Sequence, residues 1–225
     1  MVSPDTALRR LQRDIAKLLQ PYGFHGTEPT WIRVQDEGVA TVGRSRVART
    51  WTDGQQTLTF GLTLDATPAA WWRYCRARAE AAGLRPVALT AATGPGLLAR
   101  HPGPGEPPAP WTLRVDPEQP GGHALAADIE TIRAELPRRV HAYARRAVHL
   151  LEPGRYLAEL LALPDSDARI WEAIVVLRAD DGPGAELDEA IARLRERAAR
   201  EGDPAWADEV AGYARRAARS ADLVG

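Results

Sequence analysis

The sequence is poor in several residue types, and each shortage excludes a class of protein. Among its 225 residues there is no asparagine, one lysine (Lys17) and one cysteine (Cys75). A single cysteine excludes an intrachain disulfide, and without asparagine there is no acceptor for N-glycosylation. The N-terminal residues lack the apolar core of a secretory signal, and no run approaches the roughly 20 apolar residues of a membrane-spanning helix. We therefore expect a cytoplasmic protein.

The overall composition is that of an ordinary globular protein. Hydrophobic residues make up 44% and charged residues 26% of the chain, and the formal net charge is -1. This balance gives no general attraction to nucleic acid or to an anionic membrane, so either ligand would need a local basic patch. Nearly all positive charge is arginine, and alanine, glycine and proline are abundant. Such a bias is typical of GC-rich bacterial genomes such as those of actinobacteria, which makes the arginines weak evidence for phosphate binding.

The first half of the chain has the pattern of a helix followed by antiparallel strands. Apolar residues recur at helical spacing from Leu8 to Leu19, behind Ser3 as a cap and Pro4 in the first turn. The hydrophobic period then changes to two, which is typical of half-buried strands. In the most regular strand, leucine and phenylalanine at every second position from 58 to 64 alternate with threonine and glycine. The predicted turns are 36–38 and 52–54, and the predicted strands are 31–35, 39–47, 57–64 and 111–115.

Most of the remaining sequence is predicted to be helical. Pro137 lies inside the longest helical stretch and is expected to kink that helix or to begin a new one, because proline has no N–H to donate. The predicted helices are 67–82, 126–151, 155–163, 165–178, 185–200 and 204–221. We thus predict an α+β protein with an N-terminal helix, a four-stranded antiparallel sheet packed by helices, and an all-helical C-terminal third. The expected domains are an α+β domain at 1–150 and a helical extension or small helical subdomain at 151–225.

A stretch dense in glycine and proline lies between residues 93 and 110. Its two Gly-Pro-Gly sequences do not indicate a phosphate-binding loop, because proline lacks the N–H group that such a loop uses. The stretch is therefore expected to be a surface loop. One hypothesis makes it the lid of an enzyme of unrecognised class, and this hypothesis predicts a pocket with converging polar groups beneath the loop.

No motif in the sequence indicates catalysis, a cofactor or a metal site. The chain has no Gly-x-Ser-x-Gly nucleophile turn, and Cys75 lies alone in a predicted helix beside tryptophans, where a small buried hydrophobic role is typical. His141 and His149 are eight residues apart, whereas paired metal ligands on a helix are spaced by four. We expect no catalytic, cofactor-binding or metal-ligating residues.

The best candidate for a functional surface is a set of arginines and tryptophans on neighbouring predicted strands. If they share the solvent-facing side of the sheet, they form a cationic and aromatic platform. Arginine binds carboxylates in a bidentate manner and tryptophan supplies apolar contact area, which suits a partner protein. The same platform suits single-stranded nucleic acid, and a merely solvated sheet face is the third alternative. The set consists of Trp31, Arg33, Arg44, Arg46 and Trp51.

A family resemblance extends over about residues 5–150. A helix ends in Pro-Tyr-Gly-Phe, and a Trp-x-Arg strand, an Arg-Ser strand, a Phe-Gly-Leu strand, a Trp-x-Leu strand and a Leu-Pro helix segment follow. The residues that carry this pattern are Tyr22, Gly23, Phe24, Trp31, Arg33, Val39, Arg44, Ser45, Phe60, Gly61, Leu62, Trp111, Leu113, Asp128, Ile129, Leu136 and Pro137. In them the chain resembles the bacterial domain-of-unknown-function family 4304. The resemblance assigns no activity, and by analogy with small bacterial α+β proteins it implies a non-catalytic, immunity-type or adaptor module that binds another protein.

Overall fold

The computed structural model describes residues 2–26, 28–52, 54–116, 122–164 and 166–222. Over these residues the chain forms seven α-helices and seven strands, and the strands build two antiparallel sheets. The α+β class, the N-terminal helix and the helical C-terminal region predicted from the sequence are therefore confirmed. None of the helices in this part of the chain is both long and apolar enough to cross a membrane.

The elements have the following bounds. The helices are α1 (Pro4–Leu19), α2 (Ala69–Ala81), α3 (Ala126–His149), α4 (Arg155–Leu161), α5 (Ala168–Arg178), α6 (Ala185–Glu201) and α7 (Pro204–Asp222). The strands are β1 (Thr30–Gln35), β2 (Gly38–Arg44), β3 (Ala48–Thr52), β4 (Gln55–Phe60), β5 (Leu62–Pro68), β6 (Trp111–Asp116) and β7 (His123–Ala124). Asp53, at the centre of the predicted turn at 52–54, lies outside the described residues.

The strands form two sheets where the sequence predicted one. Over the described residues, one sheet has the order β1-β2-β5 and the other the order β3-β4-β6-β7. The predicted strand at 57–64 is in fact two strands, because the ladder is interrupted at Gly61. The N–H of Gly61 donates to the hydroxyl of Ser45 (2.8 Å), and its carbonyl accepts from the N–H of Ser45 (2.9 Å). The chain on either side of this contact pairs with different strands.

The described residues divide into two compact units. The first comprises 1–33, 40–65 and 99–149, and the second comprises 34–39, 66–98 and 150–225. Strands β1, β2 and β5 contribute residues to both units. The last segment of the second unit begins where the sequence analysis placed a domain boundary, but this unit also includes α2. A separate helical domain at 151–225 stays a prediction.

In the first unit, α1 and α3 pack on each other and α3 contacts β6. The helix α1 begins as predicted, because the hydroxyl of Ser3 accepts a hydrogen bond from the N–H of Thr6 and Pro4 occupies the first turn. The helix α3 runs without a break through Pro137. The core of this unit is formed by fully buried side chains that include Leu11, Ile15, Leu58, Leu113, Ile132 and Leu136.

In the second unit, α5 packs on α2, α4, α6 and α7. Its core includes the buried side chains Tyr74, Leu160, Ile174, Val176, Ile191 and Leu194. The helix α5 is apolar on most sides, which is expected of a helix that is surrounded by other helices.

Candidate functional site

The arginines and tryptophans predicted as a binding surface do not all lie on one exposed face. Trp31 is 2% exposed and belongs to the core. Arg33 is half-buried and donates to the carbonyl of Tyr22 (2.8 Å), and half-buried Arg44 donates to the carbonyl of Ser45 (2.8 Å). These two guanidinium groups thus hold main-chain carbonyls in place. Because Trp31 is inaccessible, it cannot stack on a nucleic-acid base or enter a partner protein.

The other two members of the set are accessible. Arg46 is exposed, and Trp51 is 70% exposed on β3, the outermost strand of its sheet. A role of these two residues in binding a partner stays a prediction. The five residues do not make the continuous platform that the strand pattern suggested.

A cavity of about 850 Å³ lies between β6, α3 and the part of the Gly/Pro-rich loop at residues 102–110. We call it the β6–α3 cavity. The loop contributes Pro102, Gly103, Pro108, Ala109 and Pro110, β6 contributes Trp111, Thr112 and Arg114, and α3 contributes polar residues that include Asp128, Glu135, Arg138 and Arg139. The volume lies within the range of about 300–1,000 Å³ that is common for ligand pockets. A pocket at this loop is the feature that the lid hypothesis predicted, although the lining decides what it can do.

One main-chain edge of β6 opens toward this cavity. The N–H of Arg114 donates to the Asp128 carboxylate (2.8 Å), and the Arg114 carbonyl accepts from the N–H of Leu125 (2.9 Å), so both main-chain groups point away from β4. Main-chain groups two residues apart on a strand point the same way, and those of Thr112 therefore also face away from β4. Within the described chain, neither the N–H nor the carbonyl of Thr112 has a hydrogen-bond partner. This exposed residue lines the cavity.

A pair of charged side chains closes one end of that edge. The guanidinium of Arg114 donates to both oxygens of Asp128, at 3.0 Å from Nε and 2.6 Å from Nη2. Burial raises the pKa of the Asp128 carboxyl, but the hydrogen bonds from Arg114 and its positive charge outweigh burial and leave that pKa lowered. Asp128 is therefore anionic at neutral pH.

A second cluster surrounds Arg139 on the cavity wall. The guanidinium carbon of Arg139 lies 4.2 Å from the ring centroid of Trp111, and its Nη2 donates to the carbonyl of Ala109 (2.8 Å). Glu135 accepts from Trp111 Nε1 (2.9 Å) and from Arg139 Nη1 (3.3 Å). The Trp111 hydrogen bond is the main cause of the lowered pKa of Glu135, which burial opposes and Arg139 reinforces.

The two arginines of this wall differ in their access to the cavity. The Nε atom of Arg139 is buried and has no hydrogen-bond partner in the described residues. Arg138 is exposed, lines the cavity, and forms no ion pair or hydrogen bond with any described residue, although its charge contributes to the lowered pKa of Glu135. Because three arginines face two carboxylates, Asp128 and Glu135, the lining carries an excess of positive charge. An anionic group would therefore be attracted to the wall formed by α3.

The lining is suited to binding rather than to proton transfer. General acid–base catalysis works best with a pKa near the operating pH, whereas the pKa values of Asp128 and Glu135 are both lowered from the ordinary carboxyl range. Burial raises the pKa of Tyr143, so this side chain stays neutral. No group of three potential metal-ligating side chains occurs among the residues that the structure describes.

The sequence does not mark the charged residues of this site as functional. Asp128 lies in the first turn of α3, where the helix dipole alone favours an acid, and Arg138 and Arg139 are inconspicuous in a chain with this arginine content. The available signal was the position of the Gly/Pro-rich loop directly before the alternating segment at 111–115. That order places a long loop directly before a strand.

Comparisons of the chain with protein-family models, with curated proteins and with solved structures found no match. The resemblance to family 4304 therefore stays a prediction, and the β6–α3 cavity is the feature that bears on function.

Proposed function

We propose that this protein is a non-catalytic binding module that receives an extended segment of a partner protein in the β6–α3 cavity. The observation that carries the proposal is the unused main chain of Thr112, which lies on a cavity whose α3 wall carries the exposed guanidinium of Arg138. This proposal keeps the class of function expected from the sequence, an adaptor or immunity-type protein. It moves the site from the arginine and tryptophan set to α3 and β6.

An extended peptide complements the β6 side of the cavity. A strand that is added to a sheet edge exchanges an N–H···O bond in each direction with the residue opposite, and Thr112 offers one such donor and acceptor. The Arg114–Asp128 pair ends the available edge on one side, and Pro110 has no N–H on the other. The matching segment is therefore short, with one residue opposite Thr112 and neighbours that contact the apolar loop residues.

A carboxylate on the peptide complements the α3 side. Arg138 has no ion-pair partner among the described residues, and Arg139 is held in place by Glu135, Ala109 and the ring of Trp111. Because the side chain of Arg139 is only 9% exposed, the exposed Arg138 is the guanidinium that can contact the anion, and Arg139 adds positive charge beside it. We therefore expect the segment to carry an acidic side chain or a free C-terminal carboxylate.

The test is selection of peptides from a random displayed library on the full chain, followed by affinity measurement through fluorescence anisotropy. We expect selected peptides to be rich in Asp, Glu or free C-termini. The Arg138→Glu variant is expected to weaken their binding by about tenfold or more, because it replaces an attraction with a repulsion. Arg145→Glu is the matched control, since it makes the same charge change at an exposed residue of α3 outside the cavity lining.

Two further variants test the main-chain contribution of β6. Thr112→Pro removes an N–H that the sheet does not use, whereas Thr112→Ala keeps it. We expect only the proline variant to lose affinity for the selected peptides. Selected peptides that bind Arg138→Glu and Thr112→Pro as well as they bind the original chain would contradict it. A nucleic-acid ligand that is lost steeply with added salt would replace the proposal with the alternative of nucleic-acid binding.

A further inference from the structure

A second open edge lies on the opposite side of the same sheet, along β3. This strand is the outermost member of the β3-β4-β6-β7 order, and its residues from Ala48 to Trp51 are all exposed. Trp51 is 70% exposed, the highest value among the large hydrophobic residues described as exposed. An uncovered edge strand with an exposed aromatic side chain is a template for pairing with another strand.

The register of the sheet shows which main-chain groups point outward from β3. Arg114 directs its main chain away from its partner Thr57 on β4, so this is a non-hydrogen-bonded pair. The main chain of Thr57 therefore faces β3, where its partner is Thr50. The neighbours of Thr50, which are Arg49 and Trp51, consequently direct their N–H and carbonyl groups outward. Neither residue has a main-chain partner on that side within the described chain.

We propose that two copies of this chain associate through antiparallel pairing of their β3 strands around a two-fold axis at Thr50. The outward-facing residues Arg49 and Trp51 are placed symmetrically about Thr50, so this register sets Arg49 of one copy opposite Trp51 of the other. Each of the two pairs exchanges two N–H···O bonds, which gives four main-chain hydrogen bonds in the interface. The same patch serves both copies, as a closed two-fold dimer requires.

The side chains suit this register. Arg49 and Trp51 lie on one face of β3, since they are two residues apart. In the dimer each Arg49 guanidinium lies beside the Trp51 ring of the second copy, which allows a cation–π contact. The charge of Arg49 is balanced within its own chain, because its Nη2 lies 2.6 Å from the Asp5 carboxylate. The two copies therefore meet without an uncompensated like charge, which favours a second copy as the partner of the β3 edge.

The oligomeric state is measured by sedimentation velocity over about 1–200 μM, a range that brackets the weak affinities expected of a small interface. We expect a dimer that forms as concentration rises and a dissociation constant that is increased about tenfold or more in Trp51→Lys. Leu84→Lys is the control, because Leu84 is 66% exposed and lies far from β3 in sequence. A chain that stays monomeric throughout, or a dimer weakened equally by both variants, would overturn the proposal.

Cysteine crosslinking tests the register directly in a Cys75→Ser background. Residues in a non-hydrogen-bonded antiparallel pair have Cα atoms about 4.5 Å apart, which is within the disulfide range, and Thr50 is such a pair with itself in the dimer. Thr50→Cys is therefore expected to form a covalent dimer under mild oxidation. Two copies of Trp51→Cys are diagonal neighbours at roughly 7–8 Å and are expected to crosslink poorly. The reverse pattern would show a different register and overturn the two-fold axis at Thr50.

Discussion

Each unit contains a carboxylate held by arginine and an aromatic side chain, but the two clusters differ in their access to solvent. In the second unit, Glu172 is 2% exposed and accepts from the Tyr74 hydroxyl (2.6 Å) and from Arg78 Nη1 (3.3 Å). In the first unit, half-buried Glu135 accepts from Trp111 and Arg139 on the wall of the β6–α3 cavity. A carboxylate with the same kinds of donors is thus enclosed in the second unit and accessible in the first.

The difference shows how a structural polar cluster is distinguished from a candidate binding site. Burial, reinforced by the hydrogen bond to Glu172, raises the pKa of Tyr74, which keeps this hydroxyl a neutral donor. The Glu172 carboxylate therefore stabilises its unit and is itself inaccessible to a ligand, although its partner Arg78 is 54% exposed. On the cavity wall, by contrast, Arg138 is exposed and has no hydrogen bond or ion pair in the described chain, whereas the unpaired Nε of Arg139 is buried. We expect mutations in the Glu172 cluster to change stability and mutation of Arg138 to change binding.

The largest expected effect is that of Glu172→Ala. The substitution leaves the buried Tyr74 hydroxyl and the Arg78 guanidinium without their acceptor, and we expect a loss of about 3 kcal/mol in the free energy of unfolding. Urea denaturation followed by circular dichroism measures it. Glu172→Gln keeps an oxygen acceptor for Tyr74 and is expected to lose less. Equal losses in the two variants would show that the negative charge of Glu172, rather than an oxygen acceptor for Tyr74, dominates.

A smaller effect on stability is expected for Asp128→Ala, which tests the hydrogen bonds between Arg114 and Asp128 at the end of the β6–α3 cavity. The variant removes the acceptor of the Arg114 N–H and guanidinium, and we expect a loss of about 1–2 kcal/mol in unfolding free energy. The pKa of Asp128 is lowered in the folded state from an ordinary 3.8. As pH falls, Asp128 is therefore protonated in the unfolded chain before it is protonated in the folded protein. The stability that anionic Asp128 contributes above pH 3.8 is lost as pH falls through its lower folded-state pKa.

Acid titration of stability checks this sign. The original chain is expected to lose stability below about pH 4 more steeply than Asp128→Asn, in which this position no longer titrates. Unchanged acid dependence in the variant would mean that Arg114 does not stabilise the anionic form of Asp128.

The smallest effect on stability is expected for Arg138→Glu. Arg138 is exposed and has no ion-pair partner among described residues, so the unfolding free energy is expected to change by less than about 0.5 kcal/mol. Thermal denaturation of the variant beside Arg145→Glu measures this. A large loss of stability would show that Arg138, like Glu172, stabilises the fold, and would contradict the distinction between the two clusters.

Much of the helical structure was predictable, because helix ends are marked locally. The cap at Ser3 begins α1 as expected, and Gly202, in the left-handed region, ends α6 close to the predicted boundary. The sheets were predicted less well. The alternation from 58 to 64 continues through Gly61, and only the distant Ser45 determines that the strand pairs change there. β3 was missed because its sequence is largely polar and exposed.

The candidate site was predictable only in part for a related reason. A period of two assigns Trp31 and Arg33 to one side of a strand, but it does not show which side of the strand is covered. Trp31 is buried, and the predicted platform is therefore incomplete. The loop at 102–110 indicated the position of the cavity, whereas Arg138 could be recognised as an available donor only once its neighbours were known.

The most direct test of the central claim is amide hydrogen exchange at Thr112, measured by NMR with and without a selected peptide. Thr112 is an exposed residue and its N–H has no partner in the described chain, so we expect fast exchange in the free protein. Binding in the β6–α3 cavity predicts strong protection of this amide, while the exchange of Arg49 and Trp51 stays unchanged. Saturating peptide that leaves Thr112 unprotected, or protects the edge of β3 instead, would contradict the account.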